Sequence, residues 1–252
     1  MFGFMLRTIH TNMKNNIPNN LKDILNRIAI ACKNANRDPE AVKLLMATKT
    51  VSAENIKIAF ESNQTLIGEN KIQEIKEKYD SLKSVKHEKH FIGHLQTNKV
   101  KELLRYDVDC IQSLDRLRLA EKLQNRLEYE DKTIDAYLQF NTSYEDSKFG
   151  MKPENALTFA LAVQKLDRIN IKGLMTIGLF SAEDDKVRKC FKLLKNIQKE
   201  LLENGIPAHE LSMGMSGDLE IAIEEGATII RVGTAIFGKR EHPDSYYWNE
   251  GL

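Results

Sequence analysis

Short apolar runs alternate with amphipathic helical patterns along most of the chain. The first pattern places Leu21, Ile24, Leu25, Ile28 and Cys32 at the three- and four-residue spacing of one helix face. Eight apolar runs follow, and each but the last precedes a helical pattern. These runs, which predict strands, read LLMAT, TLIG, HFIG, DCIQS, DAYLQF, IKGLMTI, HELSMG and TIIRVGTAIF. Strict alternation of strand and helix predicts a parallel sheet with right-handed crossovers.

Eight strands after an extra N-terminal helix predict an α/β fold, a single (β/α)8 barrel of the TIM type, and 252 residues suit one such barrel. A doubly wound open sheet is the alternative, but no strand precedes the Gly-x-Gly-x-x-Gly turn typical of nucleotide-binding sheets. We expect residues 17–240 to form the barrel, after a disordered or non-native extension at 1–16 and before a tail at 241–252. Residues 1–12 should be dispensable; a weak organelle-targeting segment is the other interpretation.

Polar residues mark the expected ends of the later helices. Ser181 should cap the long helix that Gly205 ends, and a short helix is expected from Ser216 to Glu225. The charged run KIQEIKEKYD, and a second run KNIQKELLEN, predict solvated helix faces.

Composition narrows the class of partner. Lys and Arg total 37 against 36 Asp and Glu, so the net charge of +1 does not indicate a nucleic-acid partner. The three cysteines, Cys32, Cys110 and Cys190, match no metal-ligand spacing and suit a reducing compartment, where we expect them to be packing residues. No apolar run reaches the roughly 20 residues of a membrane-spanning helix. We expect a soluble, cytoplasmic protein with a small-molecule or protein partner.

Two turns at the ends of the seventh and eighth strands suit a phosphate group, which barrels of this type often bind there. The segment LSMGMSGD offers Ser212, Ser216 and closely approachable backbone amides, and RVGTAIFG offers Gly233 and Thr234. Each turn alone would be an ordinary strand-to-helix turn. Both together favour a phosphate site.

Lys49 ends the first strand and so opens onto the same face of the barrel. Its amine is either a plain counter-charge or a Schiff-base former with a lowered pKa, and the residues alone leave both interpretations open. His94, after the third strand, is either a general base or a capping or solvated residue, and the second is favoured. Lys148 lies in the charged loop NTSYEDSKFG, where a solvated side chain is expected.

Seven ordered segments resemble one known family. MATKTVSAENI, IGENKIQE, HFIGHLQTNK, LQFNTSYEDSKFGM, IKGLMTIG, LSMGMSGDLEIAI and IIRVGTAIFG are similar to the YggS/PROSC family of pyridoxal 5′-phosphate (PLP) homeostasis proteins, over about 13–238. The resemblance implies that PLP is the cofactor and is held as a Schiff base on Lys49. It implies further that Asn70 lies at the cofactor's edge and that Ser212, Gly233 and Thr234 hold its phosphate. Arg231 would face the pyridine nitrogen, as a similar arginine does in the related alanine racemase barrel.

The resemblance implies intracellular PLP homeostasis without turnover of the protein's own, with no catalytic residue and no metal. A guanidinium stays protonated, so Arg231 disfavours the protonated pyridine ring that makes PLP a strong electron sink. PLP is the expected partner, and apo PLP-dependent enzymes are candidate recipients of it. Neither a nucleic acid nor a membrane is expected as a partner. The chain should be a monomer or a weak dimer. The alternatives are a PLP-dependent amino-acid racemase and a Schiff-base aldolase acting on a sugar phosphate. Racemases of this fold take a second catalytic tyrosine from an appended domain, and the late tyrosines here, Tyr246 and Tyr247, lie in a short polar tail.

Overall fold

The computed structural model describes residues 16–179 and 181–238. Their strands form one closed barrel in which every neighbouring pair is parallel and the spatial order follows the chain, which confirms the predicted fold. The strands are β1 (Lys43–Ala47), β2 (Leu66–Glu69), β3 (Glu88–Phe91), β4 (Cys110–Leu114), β5 (Ile134–Gln139), β6 (Ile169–Met175), β7 (Glu210–Ser212) and β8 (Ile229–Val232). The barrel closes where β1 pairs with β8.

Nine α-helices occur in the described ranges. They are α1 (Ile17–Asn34), α2 (Ala53–Phe60), α3 (Ile72–Leu82), α4 (Val100–Leu103), α5 (Leu117–Glu130), α6 (Ala156–Gln164), α7 (Asp184–Glu203), α8 (Leu219–Glu224) and α9 (Thr234–Phe237). Short 3₁₀ turns occupy Pro39–Ala41, Thr97–Lys99, Leu104–Tyr106 and Pro153–Asn155.

The extra N-terminal helix α1 packs against the last two helices of the barrel, α8 and α9. Its buried face includes Leu21, Ile24, Ile28 and Cys32, as the periodicity predicts, whereas Leu25 of the same pattern is exposed. Asn20 Nδ2 donates to the carbonyl of Ile236 at 2.9 Å, and Arg27 pairs with Glu220 at 2.8 Å. These bonds join α1 to the segments that follow β7 and β8, so α1 supports the loops on the face where the site was expected.

Three expected boundaries are wrong. Ser181 does not cap α7, because Glu183 is the N-cap and the Ser181 hydroxyl instead accepts the Glu183 N–H in a turn before it, at 3.0 Å. The short helix begins at Leu219 rather than Ser216, because the Asp218 side chain accepts the Met215 N–H and holds the intervening residues in a turn. The last apolar run is not one strand: β8 stops at Val232 and α9 follows.

Apolar side chains fill both sides of the sheet. The large cluster lies between strands and helices, and a smaller cluster groups side chains of six strands: Leu45, Leu66, Cys110, Tyr137, Met175 and Ile229. Cys32, Cys110 and Cys190 are buried free thiols, consistent with their expected packing role.

The helices of the described residues include none that is both long and apolar enough to span a bilayer. The expected extension at 1–16, apart from Asn16, and the expected tail at 241–252 lie outside the described residues.

Candidate functional site

The predicted site residues follow the C-terminal ends of neighbouring strands. Lys49 comes two residues after β1, Asn70 directly follows β2, and Gly233 and Thr234 directly follow β8. Since β1 pairs with both β2 and β8, these positions share one sector of the barrel mouth. Arg231 lies within β8, with its Cα opposite that of Leu45 in β1.

Lys49 occupies a tight turn between β1 and α2. The next residue, Thr50, has a left-handed backbone with φ of 65°, and its N–H donates to a carboxylate oxygen of Glu74 at 2.5 Å. Ser52 then caps α2, its hydroxyl accepting the Asn55 N–H at 3.3 Å. The backbone that directly follows the half-buried Lys49 is therefore fixed.

A buried charged cluster lies directly behind this turn. Lys78 of α3 donates to the Glu69 carboxylate and to the Thr48 carbonyl, both at 2.8 Å, and pairs with Glu74 at 3.2 Å. The Thr48 hydroxyl donates to the same Glu69 oxygen at 2.7 Å. Burial raises the pKa of Glu69 to about 7, against the lowering effect of Lys78. The cluster therefore ties α3 and β2 to the residues on either side of Lys49.

The burial of Lys78 shows that the prediction of a solvated face for this part of α3 is wrong. The run KIQEIKEKYD was expected to be a solvated face, but Lys78 is 9% exposed. It lies three residues after Ile75 and four before Leu82, which are both buried. That spacing puts all three on one helix face, a signal already present in the sequence.

Arg231 is buried inside the barrel. Its guanidinium donates to the Ser212 hydroxyl and to the Thr176 carbonyl, both at 2.8 Å. Burial lowers the pKa of Arg231 to about 10, so the side chain stays charged near neutral pH. Because a guanidinium carries five N–H donors, these two bonds leave donors for a further acceptor.

Ser212 contacts Arg231 in the barrel interior and does not lie in the turn that follows β7. The residue is fully buried, and its hydroxyl donates to the Gln112 side-chain oxygen at 2.6 Å while accepting from Arg231. Its role as a phosphate ligand stays a prediction. Two hydroxyls that were also expected near a phosphate lie nearer the surface, since Ser216 is half-buried and Thr234 is exposed.

Two glycines allow the close approach of neighbouring strand ends. A Cβ at Gly233 would lie 2.9 Å from the Ala47 carbonyl oxygen, and a Cβ at Gly93 would lie 2.0 Å from that of Asn70. The Asn70 side-chain oxygen is buried and accepts no hydrogen bond. The backbone segments at the ends of β8, β1, β2 and β3 therefore pack closely around the barrel mouth. The Asn70 side-chain oxygen lies there without a hydrogen-bond donor.

His94 has a carboxylate partner that sequence reasoning missed. Its Nδ1 lies 3.6 Å from a carboxylate oxygen of Asp115, which follows β4. Its ring stacks on Phe149 with centroids 3.8 Å apart. Lys148, expected in solvent, donates to the Gly178 carbonyl at 2.6 Å and pairs with Glu145. These contacts join the loops after β3, β4, β5 and β6 at the mouth.

The fold and the site define a barrel of the alanine racemase type. The model of the family described as alanine racemase, N-terminal domain, matches residues 20–241. A pyridoxal phosphate homeostasis protein of Aquifex aeolicus is 41% identical over 223 residues, which cover 88% of this chain and 97% of that protein.

Solved structures agree with this assignment. The crystal structure of an unknown protein from Bifidobacterium adolescentis has a TM-score of 0.84 and 36% identity, over 90% of this chain and 96% of that one. The structure of PipY from Synechococcus elongatus with PLP bound has a TM-score of 0.75 and 30% identity, over 85% of this chain and all of that one. The chain belongs to the family of pyridoxal phosphate homeostasis proteins, which confirms the resemblance seen in the sequence.

Proposed function

We propose that the protein serves intracellular PLP homeostasis by holding PLP on Lys49 as a Schiff base, without turnover of its own. The observation that carries this proposal is the buried, charged Arg231 on β8, one strand away from the fixed turn of Lys49. The relatives named as PLP homeostasis proteins and the PLP-bound PipY structure support the same cofactor.

The chain's own residues suit this group. The Lys49 amine would hold the cofactor covalently through its aldehyde group. Arg231 has donors to spare for the pyridine nitrogen, and the unpartnered Asn70 oxygen accepts a hydrogen bond at the cofactor's edge. The turn at Gly233, directly after β8, would hold the phosphate, together with the exposed Thr234 hydroxyl. When bound, PLP supplies an electron-withdrawing ring conjugated to the lysine nitrogen.

Arg231 is expected to slow turnover rather than to exclude it, since the related alanine racemases have a similar arginine. It cannot accept a proton, so it donates to the pyridine nitrogen and keeps the ring unprotonated. An unprotonated ring is a weaker electron sink, and proton removal from a bound amino acid is correspondingly slow. We therefore propose that the site retains and releases PLP, with PLP-dependent apoenzymes as recipients, in a cytoplasmic monomer or weak dimer.

A PLP-dependent racemase is the second candidate, and one observation favours it. His94 is paired with Asp115 and stacked on Phe149 at the mouth, as an oriented acid–base group would be. Racemisation needs groups on both faces of the cofactor plane, and Lys49 with His94 would supply them. We favour the carrier because relatives that match nearly their whole length to this chain are named as PLP homeostasis proteins.

An absorption spectrum and an exchange assay test the proposal together. The purified protein with PLP should show a visible band that Lys49→Ala lacks. Solvent deuterium should not enter the Cα position of alanine or serine, and the loaded protein should pass PLP to an apoenzyme faster than a Lys49→Ala control does. Deuterium incorporation with inversion, abolished in both Lys49→Ala and His94→Ala, would replace the carrier with the racemase.

A further inference from the structure

A continuous chain of hydrogen bonds runs through the barrel interior from Arg231 to Glu88. Arg231 donates to Ser212 at 2.8 Å, and Ser212 lies 2.6 Å from the Gln112 side-chain oxygen. The Gln112 side-chain nitrogen is 2.7 Å from His90 Nδ1, and His90 Nε2 is 2.7 Å from the Glu88 carboxylate. We call these five residues the interior relay.

The donors of the interior relay all point the same way. A guanidinium can only donate, so the Ser212 oxygen accepts from Arg231 and its hydroxyl proton goes to Gln112. The Gln112 amide then presents N–H to His90 Nδ1, and His90 Nε2–H donates to the Glu88 carboxylate. Every link therefore joins a donor to an acceptor, from the buried Arg231 cation to the half-exposed Glu88 anion.

The His90–Glu88 pair selects the orientation of the Gln112 amide. A carboxylate accepts only, so it holds the proton of a neutral imidazole on Nε2 and leaves a lone pair on Nδ1. A reversed amide would place its oxygen against that lone pair and would leave the Ser212 hydroxyl proton without the Gln112 acceptor. In the observed orientation every facing pair is a donor and an acceptor.

We propose that Gln112 is a positioning residue for Arg231, acting through Ser212, and that His90 and Glu88 fix its amide. This inference rests on the proposed function for its consequence, because the guanidinium being positioned is the one proposed to meet the pyridine nitrogen. Without Gln112, the Ser212 hydroxyl loses its acceptor and can rotate, so the bond from Arg231 to the Thr176 carbonyl is the one of these two that stays fixed.

Gln112→Met tests the relay, with Gln198→Met as the matched control. Gln198 is also a buried glutamine, but it lies on α7 and donates to the carbonyls of Ala208 and His209. In cofactor-free protein, exchange of the Arg231 guanidinium protons measured by NMR should be about tenfold faster in Gln112→Met and unchanged in Gln198→Met. Unchanged exchange in Gln112→Met would overturn the relay whether or not PLP binds.

The loaded protein gives a second readout. With 15N-labelled PLP, the ring-nitrogen resonance should move and retention should fall about tenfold in Gln112→Met, but not in Gln198→Met. Absence of any PLP adduct in the wild type would defeat the proposed function and leave the cofactor-free result standing. An unmoved resonance in Gln112→Met, with wild-type retention, would refute the positioning role.

Two variants of Glu88 cover the case in which Gln112→Met does not fold. The Glu88 side chain is 55% exposed, so its replacement does not threaten the core. Glu88→Leu removes the acceptor of His90 and should speed Arg231 exchange about threefold, whereas Glu88→Gln keeps an acceptor oxygen and should restore it. Equal exchange in Glu88→Leu, Glu88→Gln and the wild type would show that the amide orientation is not set from this end.

Discussion

Replacing Glu69 by glutamine should change how stability depends on pH. In the folded chain the Glu69 carboxyl is buried behind the Lys49 turn and bonded to Thr48 and Lys78. Burial raises its pKa from the ordinary 4.5 to about 7. The folded protein therefore binds this proton more tightly than the unfolded chain does. The difference is about 3 kcal/mol, since each tenfold change in proton affinity corresponds to about 1.4 kcal/mol.

The sign follows from proton linkage. A carboxyl with a raised folded pKa contributes its full stabilisation below the unfolded pKa, and that contribution is lost as the pH rises through the folded pKa. The free energy of unfolding of the wild type, relative to Glu69→Gln, should fall by about 3 kcal/mol between about pH 4.5 and about pH 7.5. The glutamine keeps an acceptor oxygen for the Thr48 hydroxyl and the Lys78 amine, and the carboxyl that titrates is removed.

Urea unfolding of cofactor-free protein, followed by far-UV circular dichroism at fixed ionic strength, measures this difference. Glu88→Gln is the control with the opposite sign, because the hydrogen bond from His90 lowers the pKa of Glu88. Its stabilising contribution should be present above the unfolded pKa and lost on acidification. If the free energy of unfolding of the wild type relative to Glu69→Gln does not change with pH, or increases as the pH rises, the account of Glu69 is refuted.

Four further substitutions test the stability of the fold and, at Thr234, the retention of PLP. Ser212→Ala should lower the free energy of unfolding by about 1–3 kcal/mol, because it leaves buried partners unsatisfied. Thr234→Ala, at an exposed position, should lower it by less than about 0.5 kcal/mol but should weaken PLP retention measured by dialysis. Gly93→Ala should cost about 3 kcal/mol or more in urea unfolding, because the new Cβ would lie 2.0 Å from the Asn70 carbonyl oxygen; wild-type stability would contradict this packing. Ser52→Ala should lower the unfolding free energy by about 1 kcal/mol through loss of the α2 cap, and no loss would show that the cap contributes nothing.

The barrel was predictable because its signals are local. The apolar run Leu44–Met46 and the spacing of Leu21, Ile24 and Ile28 each lie within a few residues, and each predicts its element without knowledge of the rest. The wrong boundaries fall where one side chain competes with the helix. Asp218 is the clearest case, since its bond to the Met215 N–H delays the start of α8.

The interior of the site was not predictable to the same degree. The expected residues Lys49, Asn70, Gly233 and Thr234 do follow neighbouring strand ends, because the topology alone decides that. The partner of Ser212, however, is Gln112, which is 100 residues away in the chain.

Such pairings depend on the register of non-adjacent strands and on rotamers inside the barrel. No local pattern specifies them. His94 and Asp115 illustrate the same limit, because their pairing crosses from one strand-end loop to the next.

Reductive trapping tests the central claim most directly. The PLP-loaded protein is treated with borohydride, digested and mapped by mass spectrometry, with Lys49→Ala in parallel. We expect the pyridoxyl label on the peptide that contains Lys49, and no stoichiometric label in the variant. A label on Lys148, Lys78 or Lys99 in the wild type, retained in Lys49→Ala, would contradict the assignment of the site.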